Sequence, residues 1–551
     1  MSEKIVVKQF NTETLKRYFN QQVIAIPELQ RNFVWNNSRL RDLADSIYKG
    51  YSIGTFTIWD ASKNKENFLR HHKGILPYYS SKSNDRIHYV IDGQQRLSVL
   101  WSFFNPNGIE MINDNGNQFH SKNICFTFNK DENGLNFSYI KKGPDNRRYI
   151  SLCDILSDDF TFRFKHLKKK RFQILRDCRE KFLKYPFIFV YIRHDMKLDN
   201  LRQTFIRLNT RGLTLRSVDR NYAYATRVHL REYIGRIKER LGILKTIDDT
   251  PLQELLYMIF KSEEKKSRFN SIAVRKIFQK IDSNNNYRLK FEREKKVIAE
   301  SVARAEGLLR TFGVKSVKYL PSISMVSILS TFYYYYRKDK LTPYQKKQII
   351  KWFWHAALSS RYTGKGYYSY AAKDIVVFTA LAKGKRKEFY DMNKIDVSVL
   401  DDAQYYINKS SVVRAFYCLL ALQKPKEFFD VDIPIKLEDP NYRERKENHH
   451  IYPQDLMEGV VPSRKYNSIV NICFLPKSYN ASFNSDPPYE YLKSEKIDKN
   501  NIQKILKSHL IPQFVLLKHG GIKEDFSKYY LKRRELLKKL FEKFACAKIF
   551  E

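Results

Sequence analysis

The chain has 551 residues, 43% hydrophobic and 15% aromatic, enough for more than one core. Its 100 Lys and Arg against 59 Asp and Glu leave a formal charge of +41, which points to an anionic polymer as partner through counterion release. Six cysteines without a CxxC pair argue against a disulfide framework or zinc knuckle, and no run approaches the roughly 18–20 apolar residues that span a bilayer.

The N-terminal text MSEKIVVKQFNTETL lacks the apolar run of a signal peptide, so the expected location is the cytoplasm, away from any membrane. VVKQF reads as a strand and NTETLKRYFN as a helix capped by Asn11 or Thr12. IPELQRNFVW reads as extended chain and loop. In SRLRDLADSIYKG, Leu40, Leu43, Ile47 and Tyr48 share one helical face that Gly50 ends. IGTFTIWD and RIHYVIDG follow as strands.

YVIDGQQRLSVLWSFF sets Asp92, Gly93, Gln94, Gln95 and Arg96 between a strand and a helix whose Leu97, Leu100, Trp101 and Phe104 fall on one face. A strand-to-helix turn offers free amides and the positive end of the helix dipole, which suits phosphate. Gly93 lets the backbone approach an anion, Arg96 can grip phosphate oxygens, Asp92 can hold a metal or ribose, and a glutamine can position water. The same text also reads as a simply capped helix.

Residues 105–150 alternate turn formers with short apolar runs such as NICFTF, a pattern of hairpins and long loops. FKHLKKKRFQILRDCREKFLKY reads as a basic helix and PFIFVYI as a buried strand. RLNTRG carries Asn209 and Arg211 and also reads as a glycine-dependent turn. Helical periodicity dominates from about 225 to 425. STFYYYYRKDK and GKGYYSYAAK interleave tyrosine with lysine, a pattern that stacks on bases or packs a core. The C-terminal helix FSKYYLKRRELLKKLFEKFACAKIF and the basic helix near 170 are candidate rails for DNA, or solvated faces.

Near the C-terminus ENHHIYP is followed by YNSIVNICFLPKSYN. Asn471 stands twenty-one residues after His450 and Asn480 nine residues after that. Two adjacent histidines, an asparagine in a short apolar run and another at the start of a helix resemble the HNH nuclease finger, two strands and a helix around one divalent metal. That resemblance makes His449 a metal ligand and His450 the general base, whose ordinary pKa lies near working pH. Asn471 would orient the His450 ring or hold the loop, and Asn480, joined by Asn484 one turn on, would complete the metal site. Glu447 could lie behind it. An imidazole where other fingers carry a carboxylate loosens Mg²⁺ and favours Mn²⁺ or another borderline metal.

IPELQRNFVWNNSRLRDLADSIYKGYSIGTFTIWD, IDGQQRLSVL and FIRLNTRGLTLRSVDRNYAYA, in that order, resemble the ParB/sulfiredoxin-like, DGQQR-containing domain of GmrSD- and SspE-type restriction proteins, to which an HNH domain is fused. The resemblance implies a nucleotide site at Asp92–Arg96 with Gln30 and Arg31 beside it and Asn209 and Arg211 completing it.

The expected protein is α+β and multidomain: an α/β nucleotide-hydrolysing sensor over residues 1–235, a helical bridge over 236–425, and a ββα-metal HNH nuclease domain over 426–551. It would couple binding and hydrolysis of a nucleoside triphosphate, GTP by first choice, to metal-dependent (Mg²⁺ or Mn²⁺) nicking or cleavage of DNA, modified DNA included, as an antiphage restriction factor. A homo-oligomer is compatible with this. The alternatives are a non-catalytic nucleic-acid-binding sensor and an RNA-targeting nuclease that arrests growth.

Overall fold

The computed structural model describes residues 5–27, 30–61, 87–113, 116–129, 134–145, 148–194, 196, 198–210, 216–225, 227–261, 269–389, 398–407, 410–435, 437, 446–476 and 485–545. The chain divides into two compact units, Met1–Glu232 with Phe278–Arg288, and Tyr233–Ile277 with Leu289–Glu551.

Unit 1 is built on a mixed five-stranded sheet of β1 (Ile5–Phe10), β2 (Ile24–Ala25), β3 (Phe56–Asp60), β4 (His88–Asp92) and β10 (Phe187–Ile192). Their order is β1-β10-β3-β4-β2. β10 runs parallel to β3 and β2 parallel to β4, whereas β1 with β10 and β3 with β4 are antiparallel. Successive side chains of a strand point to opposite faces, and here both faces are covered. Phe56, Ile58, Val90, Phe187 and Phe189 enter the larger core, while Trp59, Tyr89 and Ile91 pack with Leu201 and Phe205.

The helices around this sheet follow the apolar spacing. α1 (Thr12–Asn20) is capped by Asn11, whose side chain accepts from the Thr14 amide at 2.9 Å. α2 (Asn37–Lys49) buries Leu40, Leu43 and Ile47 and ends at Gly50, left-handed at φ +74°. α3 (Gln94–Phe104) follows β4, α4 (Lys169–Leu183) is the basic helix, and α5 (Leu198–Thr210) follows β10. The turn-rich middle forms two small antiparallel sheets: β5 (Glu110–Ile112) with β6 (Gln118–His120), and β7 (Ile124–Thr127) between β8 (Phe137–Tyr139) and β9 (Tyr149–Ser151).

Unit 2 is mostly helical, through α6 (Thr250–Phe260), α7 (Ser324–Tyr335), α8 (Pro343–Leu358), α9 (Tyr367–Ala382), α10 (Ser411–Leu422) and α11 (Ile522–Ala545). The phrase KWFWHAALSSRY is a buried joint. Trp352 and Trp354 are fully buried, and Arg361 grips Asp374 of α9 with two bonds of 2.7 and 2.8 Å. Trp352 and Tyr362 also donate to Asp374, so the buried carboxylate is fully met. The two strands among the described residues of this unit are β11 (Lys446–His450) and β12 (Ile472–Pro476), an antiparallel ribbon. β11 ends at His450, three residues before Pro453.

Candidate functional site

At the end of β4 the chain turns through Gly93 at φ +92° and enters α3. A side chain is strained there twice over, because a Cβ would lie 2.6 Å from the Phe56 ring. No side chain caps α3, the condition in which first-turn amides can take an anion instead. Beside this turn lies a cavity of about 250 Å³. The structure brings Gln30, Arg31 and all five residues of Asp92–Arg96 to its walls.

The side chains divide into braces and an open position. The Gln30 amide donates to the carbonyls of Val90 and Ile91 at 2.9 and 2.8 Å. Gln95 accepts from the Val34 amide at 2.9 Å and donates to the Asn32 carbonyl at 3.1 Å, tying the QRNFV segment to the turn. Arg96 stacks on Phe56 and donates to the Ile53 carbonyl, to the Thr55 carbonyl at 3.0 Å and to Asp92 at 3.1 Å. Both terminal nitrogens are therefore committed to protein oxygens, which differs from the phosphate grip expected of Arg96. Burial lowers its pKa and neighbouring Asp92 acts in the opposite sense. Gln94 differs from the braces. It is 5% exposed, lines the cavity, and its Oε1 lacks a hydrogen-bond partner. A buried amide oxygen left unmet costs free energy until a water or ligand donor reaches it.

Trp35, Arg39 and Leu208 also line the cavity. Sequence reasoning passed over Arg39 and Trp35, although both stand in the quoted block, each four residues from the cation or aromatic before it. Leu208 brings the last turn of α5 to the cavity, with Asn209 next in the chain. The Asn209 side chain and Arg211 lie outside the described residues.

In unit 2 the ribbon pairs His449 with Cys473 and His450 with Ile472. Neighbours on a strand face opposite ways, and the two imidazoles do so. His449 is 7% exposed and meets the Tyr491 ring edge-on at 6.0 Å. His450 meets Tyr405 edge-on at 4.9 Å and places Nε2 3.1 Å from Oδ1 of Asn467. An amide oxygen there makes Nε2 the proton-bearing nitrogen and leaves Nδ1 as the basic one. Burial lowers the pKa of His450, while the Asn467 bond and Asp455 act in the opposite sense.

Asn471 is fully buried and its carboxamide is wholly engaged. It accepts from the Tyr452 amide and donates to the Tyr452 and Tyr466 carbonyls, all at 2.9 Å. Of the two roles expected for it, this is the geometry of loop holding. The ring of His450 is met by Asn467, which sequence reasoning missed though it stands in the same YNSIVN phrase. Arg533, on the basic α11, was read as part of a solvated face and is instead fully buried. Its guanidinium donates to the carbonyls of Val470 (2.7 Å), Ile472 (2.7 Å), Leu510 (3.0 Å) and His509 (3.1 Å). It thus clamps the chain on both sides of Asn471.

Asn480, Asn484 and the expected finger helix lie outside the described residues, as does the side chain of Glu447. Among the described residues no group of three His, Cys, Asp or Glu could hold a metal. A buried imidazole is a donor type that a divalent transition metal accepts, but His449 faces away from His450 on the ribbon.

Two comparisons bear on these sites. Residues 12–225 match the family model described as "GmrSD restriction endonuclease, N-terminal domain", which takes in the whole DGQQR cavity. A protein of Methanocaldococcus jannaschii, described as uncharacterised, is 24% identical and aligns over 94% of this chain and 96% of its own length.

Proposed function

We propose that this chain, whose residues 12–225 form a GmrSD-type restriction-endonuclease N-terminal domain, is a defence nuclease that couples nucleotide turnover in unit 1 to metal-dependent cutting of DNA in unit 2. The observation that carries the reading is the His450 imidazole, held through Nε2 by Asn467 on the ribbon where the HNH resemblance puts the general base. Nδ1 of His450 takes the proton of the attacking water. Asn467 keeps the ring in that tautomer, and Asn471 with Arg533 keeps the loop behind it in register. His449, with Asn480 and Asn484, would hold the divalent metal. When bound, that ion stabilises charge on the phosphoryl and leaving oxygens.

In unit 1 the α3 amides beside Gly93, with Arg31 and Arg39, receive phosphate, and Gln94 offers its unmet amide oxygen to a water or a ribose hydroxyl. A cavity of about 250 Å³ is below the usual size of a small-molecule site, so it suits the phosphate end of GTP rather than the whole nucleotide. The +41 charge supports DNA as the polymer that unit 2 acts on.

The test offers supercoiled plasmid and single-stranded RNA together, with Mg²⁺ or Mn²⁺, with and without GTP. Nicked plasmid that depends on metal and responds to GTP supports the reading. Cleavage of the RNA with intact plasmid would replace it with the growth-arrest alternative.

A further inference from the structure

Ahead of α10 the chain makes a turn at Gln404–Ile407, closed by the Ile407 amide on the Gln404 carbonyl at 3.0 Å. The turn is fastened to the segment that carries Asn467. The Tyr405 amide donates to the Asn467 carbonyl at 3.1 Å, Gln404 bridges to Ser468, and the Gln404 side chain donates to the Arg464 carbonyl at 3.0 Å. It is also fastened to β11. The Tyr417 hydroxyl of α10 donates to the Tyr405 carbonyl at 3.3 Å and accepts from the Asn448 side-chain amide at 2.8 Å. Both segments that frame the His450 ring therefore hold this one turn in place.

What the turn presents is apolar and exposed. Tyr406 is 59% and Ile407 49% open to solvent. One exposed hydrophobe is ordinary, but two in succession on a pinned turn hold apolar surface in water at a fixed place. Side chains on an ordered turn also lose less freedom when a partner covers them. Tyr406 meets Tyr405 edge-on at 5.7 Å, and Tyr405 meets His450 edge-on at 4.9 Å, so Tyr406 stands one ring removed from His450. Phosphates of one DNA strand are about 3.4 Å apart along the axis, which puts that ring within about three nucleotides of a phosphate at His450. Arg464, exposed on the adjoining short helix Ser463–Tyr466, supplies a cation for the backbone there.

We propose that Tyr406 and Ile407 form an apolar wedge that enters DNA beside the phosphate attacked from His450, with Tyr406 against a base unstacked at that step and Arg464 on the neighbouring backbone. The proposal rests on unit 2 cutting DNA and adds what selects the place of the cut. Apolar wedges enter where stacking is weakest, and pyrimidine–purine steps unstack most easily, so those steps should be cut in preference.

The experiment sequences the ends that the full chain makes in supercoiled plasmid with Mg²⁺ or Mn²⁺, and measures KM and kcat on a duplex carrying one preferred step. The wild type should cut pyrimidine–purine steps several-fold more often than others. Tyr406→Ala should raise KM about tenfold with kcat little changed, and Tyr406→Ala with Ile407→Ala should flatten the step preference. Tyr406→Phe keeps the ring and should behave as the wild type. Because both side chains are exposed, the melting temperature should not move. Wild-type KM and step preference in the double variant would overturn the wedge while leaving DNA cutting in place. A lowered melting temperature, or a defect as large in Tyr406→Phe, would make the pair structural and overturn it too. No nicking by the wild type would overturn both readings.

Discussion

The division of labour between the two asparagines of the YNSIVN phrase sets what single substitutions should do. Asn467 meets the His450 ring and Asn471 meets only backbone. Asn467→Ala should lower DNA cutting roughly 10–100-fold, a fraction of what a general base supplies, with little change in thermal stability. Asn471→Ala leaves buried carbonyls unmet at a cost of a few kcal/mol, so it should lower the melting temperature as well. Kinetics and thermal unfolding of the two variants separate the roles, and equal melting temperatures would contradict the assignment. At the other site, Gly93→Ala strains φ and meets the Phe56 ring, which should cost about 1–3 kcal/mol and depress nucleotide turnover. Gln94→Leu removes the unmet oxygen, so it should lose turnover while keeping or gaining stability. At this scale the sequence could name the DGQQR residues but not divide them. Braces and open positions are the same residue type, and only the hydrogen bonds of Gln30 and Gln95 against the orphaned Gln94 oxygen distinguish them.

Among the elements, α11 gives the clearest lesson. Its lysines read as a solvated face, and most are exposed, yet one cation in the same run is fully buried. A basic helix hides such a residue from periodicity, because arginine is scored as polar wherever it falls. Arg533 has four carbonyl partners on two segments, so Arg533→Met should loosen the ribbon and abolish cutting while leaving nucleotide hydrolysis in unit 1 intact. Limited proteolysis near residues 470 and 510 alongside both activity assays checks this; cutting at the wild-type rate would contradict it. The strands and capped helices of unit 1 were more legible. Asn11 and Gly50 act as the cap and stop that their residue types announce, and the apolar face of α2 is the buried one. α3 is instead buried nearly all round, Ser98 and Ser102 included, with Trp101 of its expected face only half-buried. IGTFTIWD was less so: β3 begins only at Phe56, because the carbonyls of Ile53 and Thr55 are taken by Arg96, a partner forty residues away that no local pattern reveals.

For the whole molecule, charge and one buried acid make separate forecasts. If several phosphates are neutralised on binding, the affinity for DNA should fall with salt at a log–log slope of about −4 or steeper, measurable by fluorescence anisotropy. A flat response would mean that the +41 charge serves something other than DNA. Within the helical unit, burial pushes Glu254 up to about 7, despite hydrogen bonds from Tyr367 and Ser327, and Asp248 acts in the same sense as burial. A raised carboxyl means that the folded chain holds a proton the unfolded chain has lost. That contribution is complete below the unfolded value of about 4.3 and disappears as pH rises through 7. Unit 2 should therefore lose stability between about pH 5 and pH 8, and Glu254→Gln should flatten the loss.

If His450 is the base that cuts DNA while a separate site in unit 1 turns over nucleotide, His450→Ala should separate the two activities. Plasmid nicking and GTP hydrolysis are measured on the same preparation, with Mn²⁺ and Mg²⁺ each present. Nicking should fall at least about 100-fold while hydrolysis keeps the wild-type rate. Nicking by His450→Ala at the wild-type rate would contradict that assignment.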